Sequence, residues 1–263
     1  MQTLSPSLDS SAQCAPRRAL MPRSQSQLYR LRLAATPEEV QAAQALRFAV
    51  FNLELHEGLI ESFGTGLDSD IFDEACDHLL VEEVKSGAIV GTYRLQTGDQ
   101  AARFHGYYSA REFDFSPYES IRGQLVELGR ACVEKKHRNL VVLGLLWGGI
   151  ARYARERQCR YLVGCSSLAG TDEGIALEAF CKLAPHHLAA PDQLTVPMTE
   201  FACSNPQPAT APANIPKLMT AYLSLGAKIC SSPAIDREFG TTDFLTLLDL
   251  ESLSEGVARR YLS

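Results

Sequence analysis

The chain predicts a mixed α/β layer fold with hairpins at its start and end. Three observations carry this. Short β-prone runs alternate with stretches of helical period. Two of those runs, His78–Val84 and Ala88–Thr97, are joined by the tight turn Lys85-Ser86-Gly87. The most apolar segment, Leu140–Gln158, is apolar nearly all round over its first three turns, as a helix is when other layers cover it.

Composition bounds the rest. With 263 residues, 46% hydrophobic and 21% charged, the chain can bury a large core and is near the upper end for one domain. A net charge of −6 argues against a basic nucleic-acid binder. The 8 cysteines show no C-x-x-C spacing, and no signal peptide implies an oxidising compartment, so they read as reduced thiols of a cytoplasmic protein. Leu140–Ile150 is too short an apolar run to span a bilayer.

Residues 1–30 are rich in Ser, Gln, Pro and Arg, with Asp9 as their single acid, and read as a disordered tail. A second reading is a weak tether to anionic membrane through Arg17, Arg18, Arg23, Arg30 and Arg32. The fold proper is expected over 31–263, with a first strand at Arg30–Leu33. Thr36-Pro37-Glu38-Glu39 is a capping box with proline at the first helical position, and its helix should run to about Leu55. Gly58–Asp70 is loop, and an acidic corner, Asp70 to Asp77, leads into the first hairpin. Gly98–Gly123 is aromatic-rich and irregular. A strand over Leu125–Val133, the helix Leu140–Gln158 and a strand over Cys159–Leu168 follow. Thr171 caps a helix to about Cys181. Pro185–Pro216 is a long proline-rich connection with one short strand near Leu194–Val196. A helix ended by Gly226 and strands at Ala227–Cys230 and Phe244–Leu250 complete the chain.

The chemistry concentrates in Leu125–Asn139, LVELGRACVEKKHRN. Glu127 and Arg130 flank Gly129 on a β-prone run. Lys135, Lys136, His137 and Arg138 follow, and Asn139 is a good N-cap for the long helix. An ionisable pair on a strand, then cations at a helix N-terminus, fits acid–base chemistry beside an anion site. The same residues also fit a buried ion pair and a solvated basic turn. Positions 127 and 130 of a regular strand face opposite sides, so a shared site requires a bulge, which Gly129 would permit. On that reading Gly129→Val should abolish activity. A bulge would also splay this strand from its neighbour and free backbone N–H groups. Arg94, inside the second hairpin strand, needs a partner or a ligand. No His or Asp is placed to activate Cys132, Cys165 or Ser166, and no group has metal-ligand spacing.

The order of elements and several phrases resemble the acyl-CoA N-acyltransferase (GNAT) fold, a mixed, mostly antiparallel sheet flanked by helices. Arg47, Asp73, Arg94 in GTYRL, and Glu127 with Arg130 in ELGRACV are similar to the pattern of acyl-homoserine-lactone synthases. FDEACDHLLV, REFDFSPY, LLWGGIARY, YLVGCSSL and AIDREFGTTDF look like the hemolysin-labelled ornithine N-acyltransferases of ornithine-lipid synthesis. The resemblance implies direct transfer of a 3-hydroxyacyl group from acyl carrier protein to the α-amine of L-ornithine, giving lyso-ornithine lipid. It implies Glu127 as base, with Gly129 and Arg130 completing the catalytic strand. Arg47 and Arg94 would hold the ornithine carboxylate, and Asp73 and Asp77 its side-chain ammonium. The glycine-rich phosphate loop of acetyl-CoA enzymes is missing between Val133 and Leu140. Lys135, Lys136, Arg138 and Asn139 are therefore expected to meet a phosphopantetheine that enters on the carrier protein, with no cofactor bound otherwise. Acylation of glycine or another amino acid, and acyl-homoserine lactone synthesis, are the competing reactions. A carrier-binding module or a membrane-active hemolysin are the non-enzymatic ones, and the latter lacks an amphipathic or spanning segment.

Overall fold

A computed structural model describes residues 28–204 and 207–261. Most of the expected tail, with Arg17, Arg18 and Arg23, lies outside them. Arg30 and Arg32 lie on the first strand and pair with Glu82, Arg32 also with Glu39.

The described residues form one sheet. Its strands are β1 (Tyr29–Leu33), β2 (Asp77–Glu83), β3 (Ile89–Thr97), β4 (Leu125–Val133), β5 (Tyr161–Ala169), β6 (Lys228–Ile229), β7 (Ala234–Asp236) and β8 (Thr241–Asp249). The order is β1-β2-β3-β4-β5-β8-β6, with β7 also on β8, and only β4 and β5 run parallel. Their crossover is α4 (Leu140–Glu156), the connection a parallel pair needs.

Period-2 alternation on β3 divides the two faces. Tyr93 and Leu95 join Leu79, Val81, Leu146, Trp147 and Ile150 in the core under α4. Thr92, Arg94 and Gln96 face the other way, toward α1 (Pro37–Phe48) and the irregular segment after β3. That segment, Gly98 to Gln124, holds α3 (Gly98–Arg103) and two 3₁₀ turns. Tyr107, Phe113, Phe115 and Tyr118 form a second core with Val163, Leu245 and Leu247. Each such large side chain contributes about 1.5–3 kcal/mol on burial, which is why an irregular backbone holds its place here.

Thr36 caps α1 as read, and the helix winds on to Leu55 through a π-helical segment, Ala49–Leu55. A single turn, α2 (Ser62–Thr65), interrupts the expected loop. α5 (Glu173–His187) is capped by Asp172 rather than Thr171 and runs past Cys181 with Pro185 in its last turn. No strand forms at Leu194–Val196: Thr195 N–H donates to the Cys230 carbonyl, the Val196 carbonyl accepts from Asp114 N–H at 3.0 Å, and a 3₁₀ turn, Pro191–Gln193, precedes them. β7 had no sequence signal, being three residues long. α6 (Lys217–Ser224) and α7 (Glu255–Tyr261) complete the helices of the described residues, and none of these is long and apolar enough to cross a membrane.

Candidate active site

β4 pairs β5 only over Leu125–Glu127, opposite Tyr161–Val163. Beyond that point the strands part, while β5 stays paired to β8 as far as Ala169. A cavity of about 250 Å³ opens there, lined by residues 127–131 of β4 and 162–167 of β5. Its walls come from both faces of the sheet. Trp147, Met219, Tyr222 and Leu248 make an apolar side, and Arg94, Tyr108, Ser109, Glu127 and Asp243 a polar one. The cavity therefore passes through the sheet at the fork.

Two local features make the fork. Thr92 faces Cys132 and Arg94 faces Gly129, so Arg130 and Ala131 oppose Tyr93 alone: β4 bulges by one residue. The left-handed residue of the bulge is Arg130, at φ 49°, and not Gly129. A Cβ on Gly129 would meet only Arg94 Nε, at 4.0 Å, so Gly129 is not what permits the bulge. Gly164 carries the second feature. A Cβ there would lie 2.2 Å from the Leu128 carbonyl oxygen, so only glycine lets β4 cross this close as it departs.

Glu127 sits at the fork, 4% exposed. Its carboxylate accepts the backbone N–H of Tyr108 at 2.9 Å and of Ser109 at 2.7 Å. The Gln96 amide, oriented to satisfy its neighbours, donates to the same carboxylate at 3.2 Å. Burial nonetheless wins over these donors and raises the Glu127 pKa. Arg130 opens onto the same cavity, so the bulge does bring 127 and 130 together. Its guanidinium pairs with Asp68 at 3.3 Å and Asp70 at 3.2 Å. It also lies between Tyr108 and Phe239, at 4.7 and 4.5 Å from the ring centroids.

The remaining arginines are largely matched. Arg47 is fully buried and bound to Asp68 and Asp73, and Arg94 to Asp70 and Asp73. Three arginines and three aspartates thus make a neutral buried network. Arg47 and Asp73 lie outside the cavity lining, which corrects their assignment to substrate: each has its charge met by the other. Arg94 does line the cavity, and its Nη2 has no hydrogen-bond partner among the described residues. Asp77 is also displaced. It accepts from Tyr153 at 2.7 Å and Arg157 at 3.2 Å, in a separate surface hollow with Gln100 and Arg103. Of the expected phosphate set, Arg138 is held by Glu54 at 2.7 and 2.8 Å. Asn139 accepts from Val141 and Val142, capping its own helix. Lys135 and Lys136 are exposed on a 3₁₀ turn, and none of the four lines the cavity.

Sequence reasoning missed the acids at the other end. Glu57, just after the π-helical segment, lines the cavity, and burial with the Asp243 charge nearby raises its pKa to about 7. Asp243, on β8, is 3% exposed and Glu112 1%. Burial raises both their pKa values, that of Glu112 further through the Asp243 charge and that of Asp243 further through Asp236, so the pair retains a proton.

A sheet opened between its parallel strands, a carboxylate at the fork and a cavity with one apolar side make this chain a GNAT-type acyltransferase. The family model of an acetyltransferase (GNAT) domain matches residues 46–148. The solved N-acyl amino acid synthase from uncultured soil microbes has the same fold, at a TM-score of 0.52 and 13% identity over 85% of this chain and 92% of that one. Two relatives are far nearer in sequence, and both are named L-ornithine N(alpha)-acyltransferase. That of Rhodobacter capsulatus is 34% identical over 86% of this chain and 92% of its own length. That of Brucella abortus is 36% identical over 89% and 87%. The chain belongs to the L-ornithine N(alpha)-acyltransferase family.

Proposed function

We propose that this enzyme moves a 3-hydroxyacyl chain from acyl carrier protein to the α-amine of L-ornithine, giving lyso-ornithine lipid. The acceptor follows the name its relatives carry over most of both chains. The observation that carries the chemistry is the two-sided cavity at the fork. The acyl tail takes the apolar side, among Trp147, Met219 and Tyr222, and the amino acid takes the polar side. Their reacting atoms meet where β4 and β5 part.

The donor needs no resident cofactor, because the thioester arrives on phosphopantetheine. Its amides take up strand N–H and C=O groups that face the fork, and one such N–H serves the oxyanion. Glu127, directly or through a water, removes a proton from the α-ammonium, and its raised pKa suits it to this near neutral pH. The amine nitrogen bonds to the thioester carbon, the C–S bond breaks, and the further proton that the nitrogen sheds on becoming an amide ends on the sulfur, which leaves as a thiol. Arg94 Nη2 meets the α-carboxylate. Lys135 and Lys136 steer the acidic carrier protein, and Arg138 acts with them only if Glu54 gives way. The reaction is cytoplasmic, its acylated product destined for the inner face of the membrane.

The test is to incubate the purified chain with 3-hydroxyacyl-carrier protein or 3-hydroxyacyl-CoA, and with ornithine, glycine or S-adenosylmethionine, and to identify products by mass. N-acylornithine from the carrier thioester is the expected outcome. Product from the CoA thioester alone overturns the donor, and acylglycine or a lactone as the main product overturns the acceptor.

A further inference from the structure

The polar side of the cavity ends in a corner of carboxyls, and what that corner lacks is a cation. Asp243 Oδ2 accepts from Thr241 Oγ1 at 3.2 Å and the carboxyl also faces Ser167 and Glu112, sharing a proton with the latter, but among the described residues no cation or N–H donor reaches Oδ1 or either oxygen of Glu112. Asp243 lines the cavity, and the carboxyl oxygens of both residues lie with Cys165 Sγ within 4.8 Å of one another. Buried carboxyls without donors are costly unless protonated or paired. Arg130 exerts a pull on Glu112 but is already shared by Asp68 and Asp70. Glu57 adds a third acid, on the cavity lining, and Asp236, turned to the N–H groups of Glu238 and Phe239, adds to the negative field.

The corner also lies in line with the base. Glu127 accepts the Ser109 N–H at 2.7 Å, Cys165 S–H donates to Ser109 Oγ at 3.4 Å, and Cys165 adjoins the two acids. One wall thus presents a base at the fork and, beyond it, an anionic end.

We propose that Asp243, with Glu112 behind it and Glu57 also on the lining, seats the side-chain ammonium of a diamino-acid acceptor and so selects against neutral amino acids. The proposal rests on the acceptor being an amino acid. It replaces Asp73 and Asp77, which the fold commits elsewhere. An entering ammonium supplies the missing donors and displaces the proton held between Glu112 and Asp243.

The experiment compares kcat/KM for L-ornithine and for L-norvaline, the same chain without its terminal amine, in wild type, Asp243→Asn and Glu57→Gln. Wild type should prefer ornithine by on the order of 10²-fold or more, since a site built for a polar group rejects an analogue lacking it. Asp243→Asn should cut that preference at least about tenfold, mainly through KM, as loss of one buried charged partner does. Glu57 is only partly buried, so Glu57→Gln keeps the fold and gives a smaller fall. Calorimetry of ornithine binding in two buffers of different ionisation enthalpy should show proton release, absent in Asp243→Asn. Norvaline accepted as well as ornithine, or a preference unchanged in Asp243→Asn, overturns the proposal. Activity lost on chelation and restored by a divalent cation does so too, by giving the corner to a metal. If no amino acid is acylated but ornithine still binds with proton release, the seat stands and the reaction assigned above falls. If ornithine does not bind, both fall.

Discussion

Glu127 is held and tuned in a way that suits the base proposed for it. Two backbone N–H groups hold its carboxylate still, and burial keeps its pKa raised despite them. Activity needs the ionised form, so the rate should rise with pH through that raised pKa and then level. Glu127→Gln should lower kcat by roughly 10²–10⁴-fold and erase this acid limb, which a kcat/KM profile between pH 5 and 9 would read. A mutant retaining wild-type kcat would remove Glu127 from the chemistry. That Glu127 would be a buried acid facing a cavity was legible, because a lone acid on an apolar strand needs a reason to be there. The same reasoning, applied to TTDFLTLLDL, would have singled out Asp243. Glu112 was beyond reach, since the stretch around it has no periodicity from which burial can be read.

At the scale of the element, the fork is the device, and its causes were half legible. A bulge in Leu125–Val133 followed from the need to bring positions 127 and 130 together. Its site did not. Gly129 has the permissive backbone, yet the left-handed residue is Arg130, held at φ 49° by two aspartates and two rings. Tertiary contacts there outweigh a local cost of about 1–2 kcal/mol. Gly164 was unreadable for a different reason, since its constraint comes from the Leu128 carbonyl of another strand. Gly164→Ala should push β4 off its path, lowering stability by about 1–3 kcal/mol and the melting temperature by roughly 2–10 °C. Thermal denaturation followed by circular dichroism measures this, and an unchanged midpoint would show that the crossing can relax. The basic turn was legible as sequence but not as a site: Arg138 is neutralised by Glu54, a partner from 84 residues earlier.

Across the whole molecule, the two clusters of buried charge oppose each other with pH. Around the arginine network, Asp70 and Asp73 have pKa values lowered by Arg94, Arg130 and Arg47 against the cost of burial. A lowered pKa gives stability that is present above the usual carboxylate value and lost as pH falls through the folded one. In the acidic corner the sign reverses. Glu57, Glu112 and Asp243 are raised, so they favour the fold at low pH and cost it stability as pH rises through their folded values, near 7 for Glu57. Unfolding midpoints in urea should therefore peak in mildly acid solution and fall on both sides. Glu57→Gln should be more resistant than wild type at pH 8 and equal to it near pH 4. Identical pH curves for the two proteins would remove Glu57 from the balance. The layer order and the first hairpin were readable because periodicity is local. The meeting of Glu57, Glu112 and Asp243 was not, because each comes from a different segment of the chain.

The parted strands carry one more consequence. Beyond Glu127 and Val163, β4 and β5 lie in the middle of the sheet, yet each has an edge there like that of an outermost strand. Native proteins seldom leave such an edge bare, because it invites another strand to add. On the proposed function the guest is the extended, amide-bearing arm of the donor, docking as a transient extra strand. Amide hydrogens that face the gap from residues 128–131 and 163–166 should exchange with solvent far faster than their neighbours on β3 and β8. They should slow only when an unreactive acyl-pantetheine analogue fills the place, an effect that hydrogen–deuterium exchange resolves peptide by peptide.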